Sequence, residues 1–460
     1  MSKSKSADAK PRRFLRENIE AIATAIIVAL LFKVFILEIS RIPSGSMQPT
    51  LMGDPQSGLF DRVLVDKFSF KMREPERFEI VVFKHPLERS RIMVKRLVGM
   101  PGEEFKVEAG DLWTRGTPTQ DWTILRRSDV VMDEMWKRLD RAEFGATEWS
   151  QIVGRGWQFE PGAILASGSG KARFRAEQGT PIQNAYYDGY PAEIRKSARG
   201  QSKKRAAVGD VRLSGSLRAS ADAEAFVIEI QEGRNAYAFR LPGPAASADA
   251  TASIETRVGG EADRIEGPAF RLAANETVDV TAINLDDRVA LLVDGKELLA
   301  AEVPSVRDGG AFLTVEFVEG GGRFEQIAIE RDVYYLTMDN RQAWKVEIPE
   351  GQYVMLGDNT QDSADSRDWT AQRYDFEREG EQLSYRGNFR SRENPRFGQD
   401  ASGRGVTGFR NEWGDLYWFS NKTGVGGLQH SAPLVPRELI VGRALAVFWP
   451  LHRGRFTWLH

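Results

Sequence analysis

One long apolar segment, residues 21–37, lies near the start of the chain and constrains its fold more than any other feature. It is slightly shorter than the roughly 20 residues that span a bilayer, and Lys33 interrupts it near its carboxyl end. A basic stretch precedes it, and no second run of this length follows. A removable leader segment and a buried soluble helix are the alternatives. We predict a retained anchor over residues 19–38, a cytoplasmic basic tail over 1–18, and everything after residue 40 outside the cytoplasm.

The stretch over residues 42–51, Ile-Pro-Ser-Gly-Ser-Met-Gln-Pro-Thr-Leu, follows the apolar segment directly. Proline fixes the φ angle, and glycine tolerates backbone conformations that other residues avoid. The stretch therefore predicts a rigid turn that presents a serine hydroxyl. A plain linker beside the membrane is an equal alternative on these residues alone, because clusters of serine, glycine and proline usually form loops.

Composition narrows the chemistry that is available to the chain. The absence of cysteine excludes thiolate nucleophiles, disulfides and cysteine-based zinc sites. There are only four histidines, and no His-Glu-x-x-His motif occurs. These counts therefore argue against cysteine-based and paired-histidine metal sites. A formal net charge of -2 argues against nucleic acid as a partner.

A predicted strand over residues 91–98 carries Lys95 among apolar residues and ends at a Gly-Met-Pro-Gly turn. A lysine on the apolar side of such a strand loses its hydration, which lowers the lysine pKa. The resulting neutral amine can take a proton from a serine hydroxyl. The alternative is that Lys95 and Arg96 are ordinary charges facing solvent.

The chain contains three motifs: Pro-Ser-Gly-Ser-Met-x-Pro-Thr-Leu at 43–51, Lys-Arg-x-Val-Gly-x-Pro-Gly at 95–102, and Gly-Asp-Asn-x-x-x-Ser-x-Asp-Ser-Arg at 357–367. Together these motifs resemble the bacterial type I signal peptidase (leader peptidase) family. They occur in the family's order, after an anchor in the matching place. The resemblance implies an all-β catalytic core that works with a Ser-Lys dyad. Ser46 matches the nucleophile, and Lys95 matches the general base.

The resemblance also implies supporting roles around this dyad. Ser44 matches the residue whose hydroxyl helps to hold the oxyanion, alongside the backbone N–H of Ser46. Ser363 matches the serine that orients the lysine amine. The residues that match site-shaping positions are Asp358, Asp365 and Arg367, the last two as an ion pair.

The family's activity is the removal of signal peptides from exported preproteins that carry small side chains at the first and third positions before the cut. For this chain the resemblance implies a single-pass protein of the cell (inner) membrane, with its amino terminus cytoplasmic and its catalytic domain outside. The implied partners are preproteins and membrane lipid, and the family needs no metal and no organic cofactor.

The chain is far longer than the family core, so we predict that the core is divided into halves at residues 41–106 and 332–460. The first insertion, 107–207, contains apolar residues at helical spacing over 130–139, which predict a short amphipathic helix. A polar basic linker follows at 197–206. A second insertion at 370–432 has few apolar runs, and we expect an irregular excursion there.

Residues 208–331 change to short alternating strands, with Asp294-Gly295 as a strong hairpin signal. This pattern predicts a β-sandwich, so the chain as a whole is expected to be mainly β. The region resembles jelly-roll domains of the concanavalin/laminin-G type, which implies a glycan or a protein partner, or a packing role alone. The alternative function for the whole chain is an anchored surface protein that binds a glycan or partner and keeps a relic peptidase core.

Overall fold

The computed structural model describes residues 18–28, 36–139, 148–176, 179–184, 194, 205–306, 309–337, 342–378, 381–390, 392–420, 428–450 and 456–459. The chain forms two compact units. The first unit comprises Met1–Pro43, Phe60–Leu97 and Thr370–His460, and the second comprises Ser44–Leu59 and Val98–Trp369. Nearly all of the predicted basic tail and most of the predicted linker at 197–206 lie outside the described residues.

The predicted anchor over 19–38 is described only in part. Residues 18–28 are helical and exposed, residues 29–35 lie outside the described part, and Leu37 already begins a strand. In the part of the chain that the structure describes, no helix is long and apolar enough to cross a membrane. The anchor therefore stays a prediction.

The first unit is built on an antiparallel sheet. Its strands, in spatial order, are Leu37–Arg41, Arg62–Asp66, Ile440–Trp449, Ile80–His85 and Glu88–Gly99. Thr457–Trp458 pairs with Ile440–Trp449. The unit also contains the strand Leu434–Pro436, the helix Ser69–Met72 and the 3-10 turn Arg437–Leu439. Buried valines at positions 63 and 65 alternate with more exposed neighbours, as expected for a sheet with one face on the core.

The expectation of an irregular excursion over 370–432 is wrong. The described residues there form two three-stranded antiparallel sheets. One contains Glu381–Asn388, Thr370–Arg378 and Leu428–Ser431, and the other contains Arg396–Gln399, Gly405–Arg410 and Leu416–Ser420. Aromatic packing replaces aliphatic runs here, since the Tyr374 ring lies 4.9 Å from Phe409 and 5.3 Å from Phe419, centroid to centroid.

The second unit contains a β-sandwich whose two sheets share one apolar cluster. In spatial order the first sheet contains Trp157–Glu160, Ala163–Ala166, Gly322–Arg331, Val211–Ala219, Thr277–Leu285, Arg288–Val293 and Lys296–Glu302, with Lys137–Arg138 paired to Gly322–Arg331. The second contains Trp149–Gly154, Gly170–Phe174, Ala311–Val318, Ala225–Glu232, Asn235–Pro242, Thr251–Val258 and Glu261–Ala269. The sandwich thus includes strands between residues 137 and 174, well before residue 208.

Local signals explain how these strands form. Alternate side chains of Ala225–Glu232 are buried, and the Phe226 ring packs 5.0 Å from Phe317 and 5.1 Å from Phe324. The predicted hairpin is confirmed, because Asp294 and Gly295 have φ angles of 49° and 73°, as a two-residue turn with positive φ requires.

The remaining elements of the second unit are short. The predicted helix over 130–139 is shorter in the structure, Asp129–Met135, because the next residues leave it to pair with the sandwich. A four-stranded sheet contains Trp344–Glu347, Glu104–Glu108, Asp111–Arg115 and Thr123–Ile124. Gly53–Asp54 pairs with Leu59–Phe60, Gly45–Met47 forms a 3-10 turn, and the strand Gln352–Leu356 leads into Gly357.

Candidate active site

Residues 44–51, here named the serine turn, carry the candidate nucleophile in the second unit. Ser44 has extended backbone angles, is exposed, and forms no capping hydrogen bond with its side chain. Ser46 is half-buried, while Met47 beside it is buried. The Gln48 N–H donates to the Gly45 carbonyl at 3.0 Å. The stretch is therefore a closed turn, as predicted, and the plain-linker alternative is wrong.

The Gly-Asp-Asn block, residues 357–369, holds this turn by hydrogen bonds. The backbone N–H of Asn359 donates to the Ser46 carbonyl at 3.2 Å, and its side-chain Nδ2 donates to the Gly45 carbonyl at 2.8 Å. A Cβ atom at Gly357 would overlap both the Ser363 hydroxyl and the Ser46 carbonyl oxygen. Only glycine fits there, so the first and third motifs meet directly.

Asp358 makes a third connection between the block and the serine turn. Its carboxylate is buried, with the residue 4% exposed, and it accepts a 2.6 Å hydrogen bond from the Thr50 hydroxyl. Thr50, Gly357 and Asn359 lie inside the two motifs, but sequence reasoning assigned them no role. Their position within the motifs was the signal that could have identified them.

One hydrogen-bond network in the Gly-Asp-Asn block connects Ser363, Asp365 and Arg367. Asp365 is fully buried and accepts hydrogen bonds from Ser363 Oγ at 2.9 Å, and from Arg367 Nε at 2.9 Å and Nη2 at 2.7 Å. Burial alone lowers the pKa of Arg367, but the charge and hydrogen bonds of Asp365 outweigh it and raise that pKa. This forked pair fixes the Ser363 hydroxyl next to Gly357.

Lys95 lies in the first unit, on the strand Glu88–Gly99, opposite Val81 of the neighbouring strand. Lys95 and Arg96 are both fully buried, and Arg96 Nη1 donates to the Phe78 carbonyl at 2.8 Å. The alternative of solvent-facing charges is therefore wrong. Burial, followed by the charges of Arg390 and Lys95, lowers the pKa of His85 to about 4. Ser46 belongs to the second unit, so the Ser-Lys dyad stays a prediction.

A carboxylate cluster elsewhere in the second unit is the place where described residues could hold a metal. Asp111, Asp210 and Asp286 each bring an oxygen within 4.8 Å of the others, and such oxygens are the ligands that hard cations prefer. Burial, then neighbouring carboxylates, raises the pKa of Asp111 and Asp210 well above the usual range. Arg127 pairs with Asp286 at 3.1 Å and with Asp332. The predicted absence of a metal stays a prediction.

The family of the chain follows from comparison with known proteins. A family model described as signal peptidase, peptidase S26, matches residues 15–164 and 294–375, which is half of the chain. Together with the serine turn and its supporting network, this match places the chain among the peptidases. The chain belongs to the signal peptidase family, peptidase S26.

Several relatives carry related names. The chain is 34% identical over 119 residues to a protein named probable signal peptidase I-2 from Synechocystis sp., covering 25% of this chain and 51% of the relative. It is 34% identical over 115 residues to signal peptidase I from Leptolyngbya laminosa, covering 23% and 53%. A probable thylakoidal processing peptidase 2 from Arabidopsis thaliana is 30% identical over 160 residues, covering 30% and 42%. The chain thus spans about half the length of the curated relatives that it matches.

Solved structures add little. The carbohydrate binding module CBM66 from Bacillus subtilis matches with a TM-score of 0.27 and 14% identity, covering 40% of this chain and 96% of the module. A similarity at that TM-score supports no inference about the ligand of the sandwich.

Proposed function

We propose that this chain is a membrane-anchored serine endopeptidase that removes amino-terminal signal peptides from exported preproteins. Membership of the signal peptidase family supports this function, as do the relatives that carry that name. The observation that carries the proposal is the pair of hydrogen bonds from Asn359 to the serine turn. These bonds present Ser46 on a fixed, half-buried backbone, which is what a nucleophile needs.

In the proposed reaction, Ser46 Oγ attacks the scissile carbonyl carbon while the neutral Lys95 amine takes the hydroxyl proton. The tetrahedral intermediate collapses when the C–N bond breaks, and the lysine ammonium gives its proton to the leaving amine. This leaves an acyl-enzyme on Ser46. Lys95 then takes a proton from water, which attacks the ester carbonyl carbon. When the C–O bond to Ser46 breaks, the lysine ammonium returns this proton to Ser46 Oγ, and the signal peptide leaves with a free carboxylate. Complete burial of Lys95 supports this role, because burial favours the neutral amine.

The neighbouring residues have proposed roles that fit their contacts. The Ser44 hydroxyl, which forms no capping bond, donates to the oxyanion together with the Ser46 N–H. Ser363, held by Asp365, orients the Lys95 amine. Asp358 and Arg367 keep the Gly-Asp-Asn block in place.

The proposed substrates reach the enzyme from the membrane. The anchor over residues 19–38 follows a basic segment, which positions the amino terminus in the cytoplasm and the peptidase outside it. Small side chains at the first and third positions before the cut define the preferred substrates.

The test compares cleavage of a preprotein by the wild type, Ser46→Ala and Lys95→Met. We expect each substitution to lower kcat at least about 10³-fold, because nucleophile and base act as a unit. Lys84→Met, on the adjacent strand and exposed, is the matched control and should retain full activity.

Equal cleavage by wild type and Ser46→Ala would refute the proposal. Methionine keeps the apolar volume at position 95, and thermal unfolding checks that each variant is folded. A loss confined to Ser46→Ala, with Lys95→Met folded and fully active, would instead retain the peptidase and exclude Lys95 as its base.

A further inference from the structure

The short strand Lys137–Arg138 joins the inserted sandwich to the serine turn. Its backbone pairs with Glu330 and Arg331 of the sandwich strand Gly322–Arg331, and the next N–H, of Leu139, donates to the Ile329 carbonyl at 2.8 Å. Lys137 is only 3% exposed, whereas the neighbouring Arg138 is exposed. The sandwich therefore fixes the position from which the Lys137 side chain extends.

The Lys137 ammonium reaches the serine turn at Thr50. Lys137 Nζ donates to Thr50 Oγ1 at 3.4 Å, and the same hydroxyl donates to the Asp358 carboxylate at 2.6 Å. An ammonium has no acceptor and an ionised carboxylate has no donor. The Thr50 hydroxyl can therefore be oriented in one direction only, accepting from Lys137 and donating to Asp358.

This chain of hydrogen bonds reaches both the serine turn that carries Ser46 and the Gly-Asp-Asn block that holds that turn. Thr50 is four residues beyond Ser46, and Asp358 directly precedes Asn359, whose N–H holds the Ser46 carbonyl. The path of hydrogen bonds from the sandwich therefore ends at the residues that support the Ser46 backbone.

Other contacts connect the same block to the segment that leaves the sandwich. The Thr360 hydroxyl donates to the Tyr334 carbonyl at 2.7 Å, and Arg367 Nη1 donates to the Leu336 carbonyl. These bonds hold the block from the side of residues 334–336. Lys137 adds a contact from the sandwich to the serine turn itself.

We propose that Lys137 is a positioning residue, through which the inserted sandwich holds the serine turn in its reactive geometry. Lys137 acts on Ser46 through Thr50 and Asp358 and does not touch the substrate. The inference rests on the proposed peptidase function. It assigns the insertion a part in catalysis that requires no ligand for the sandwich.

The test measures preprotein cleavage by Lys137→Met, Thr50→Val and the double variant, with Lys171→Met as control. Lys171 lies on another sandwich strand and pairs with Glu316 at 3.1 Å, away from the turn. Lys137→Met should lower kcat about 10-fold or more with a smaller change in KM, since small displacements of reacting groups are costly. The double variant should be no worse than Thr50→Val, because both substitutions break one path. Lys171→Met should cleave like the wild type.

The rate at which a serine-directed acylating probe labels Ser46 gives a second measurement that needs no preprotein. It should fall about 10-fold in Lys137→Met, and wild-type labelling by this variant overturns the inference. Normal cleavage by Lys137→Met beside an inactive Ser46→Ala overturns the inference and leaves the peptidase function standing. If Lys137→Met unfolds at a lower temperature than the wild type, the test passes to Thr50→Val, which keeps the lysine. Thr50→Val must then show the slower labelling of Ser46. Wild-type labelling of Thr50→Val would overturn the proposal.

Discussion

The serine turn and the inserted sandwich both belong to the second unit, but different interactions hold them. The turn depends on a few directional hydrogen bonds, chiefly from Asn359 and from Thr50 to Asp358. The sandwich depends on an apolar cluster shared between two large sheets, centred on residues such as Phe317 and Phe324. The serine turn thus depends on a few specific hydrogen bonds, whereas the sandwich is held by many apolar contacts that can partly replace one another.

This difference determines how each region should respond to substitution. Apolar burial is not directional, so losing one side chain in the sandwich weakens it by an amount that its neighbours partly absorb. A directional bond to a buried charge has no substitute, because the group that is left behind keeps its desolvation cost. We therefore expect changes near the turn to affect activity and stability together, and changes in the sandwich core to affect stability alone.

The largest effect is expected from Arg367→Met. It leaves the fully buried Asp365 carboxylate without its forked partner. Removing one member of a buried ion pair typically costs about 3–5 kcal/mol, and urea unfolding should show a loss of that size. Preprotein cleavage should fall as well, because Asp365, which binds the Ser363 hydroxyl, is no longer held in place by Arg367.

Arg264→Met is the matched control, because Arg264 pairs with Glu255 and Glu266 while half of its side chain stays exposed. Exposed pairs contribute about 0–1 kcal/mol, so this variant should remain close to the wild type. Equal losses of stability in Arg367→Met and Arg264→Met would remove the distinction between the region around the serine turn and the sandwich.

A slightly smaller effect is expected from Leu313→Ala in the sandwich. Leu313 is fully buried on the strand Ala311–Val318, opposite Ile230. Truncating such a leucine costs about 2–5 kcal/mol, depending on how far the cavity collapses. At temperatures where the variant is folded, kcat for preprotein cleavage should equal the wild-type value.

Val318→Ala, at a half-buried position of the same strand, should lose less stability and no activity. A large drop in kcat for folded Leu313→Ala would show that packing in the sandwich core controls the geometry of the serine turn. That result would contradict the expectation that core substitutions affect stability alone.

The same contrast explains what could be predicted from sequence. Strand alternation and the Asp294-Gly295 turn are local signals, and both gave the right structure. The serine turn could also be predicted from sequence, because its motif is contiguous. The role of Lys137 could not be predicted, since its contact with Thr50 joins residues that are far apart in sequence. The residues around Lys137 indicated an ordinary amphipathic helix.

The segment over 370–432 shows the limit of composition as a guide. Its few aliphatic runs indicated an irregular loop, but strand pairing together with a few aromatic contacts forms two sheets. The carboxylate cluster was missed for a similar reason. Asp111, Asp210 and Asp286 come from separate segments, and only the folded second unit brings their oxygens together.

The smallest effect is a pH dependence of sandwich stability. Burial is the largest cause that raises the pKa of Glu232 from 4.5 to about 7, with the charge of Asp287 adding to it, while the hydrogen bond from Asn284 opposes the rise. Because the folded pKa exceeds the unfolded one, the folded state binds the proton more tightly. The resulting contribution of Glu232 to the free energy of unfolding is fully present below about pH 4.5 and is lost as the pH rises through about 7.

Glu232→Gln mimics the protonated form, so the variant should gain stability relative to the wild type as the pH rises. One pKa unit corresponds to about 1.4 kcal/mol, which gives an upper bound of about 3 kcal/mol for the difference between pH 4.5 and pH 8 in urea unfolding. The exposed Glu276→Gln should show no such trend. A pH-independent difference for Glu232→Gln would mean that the Glu232 carboxylate is as well solvated in the folded state as in the unfolded chain. The sandwich would then contain fewer desolvated charges than its burial indicates, and the contrast with the charge-dependent serine turn would be sharper.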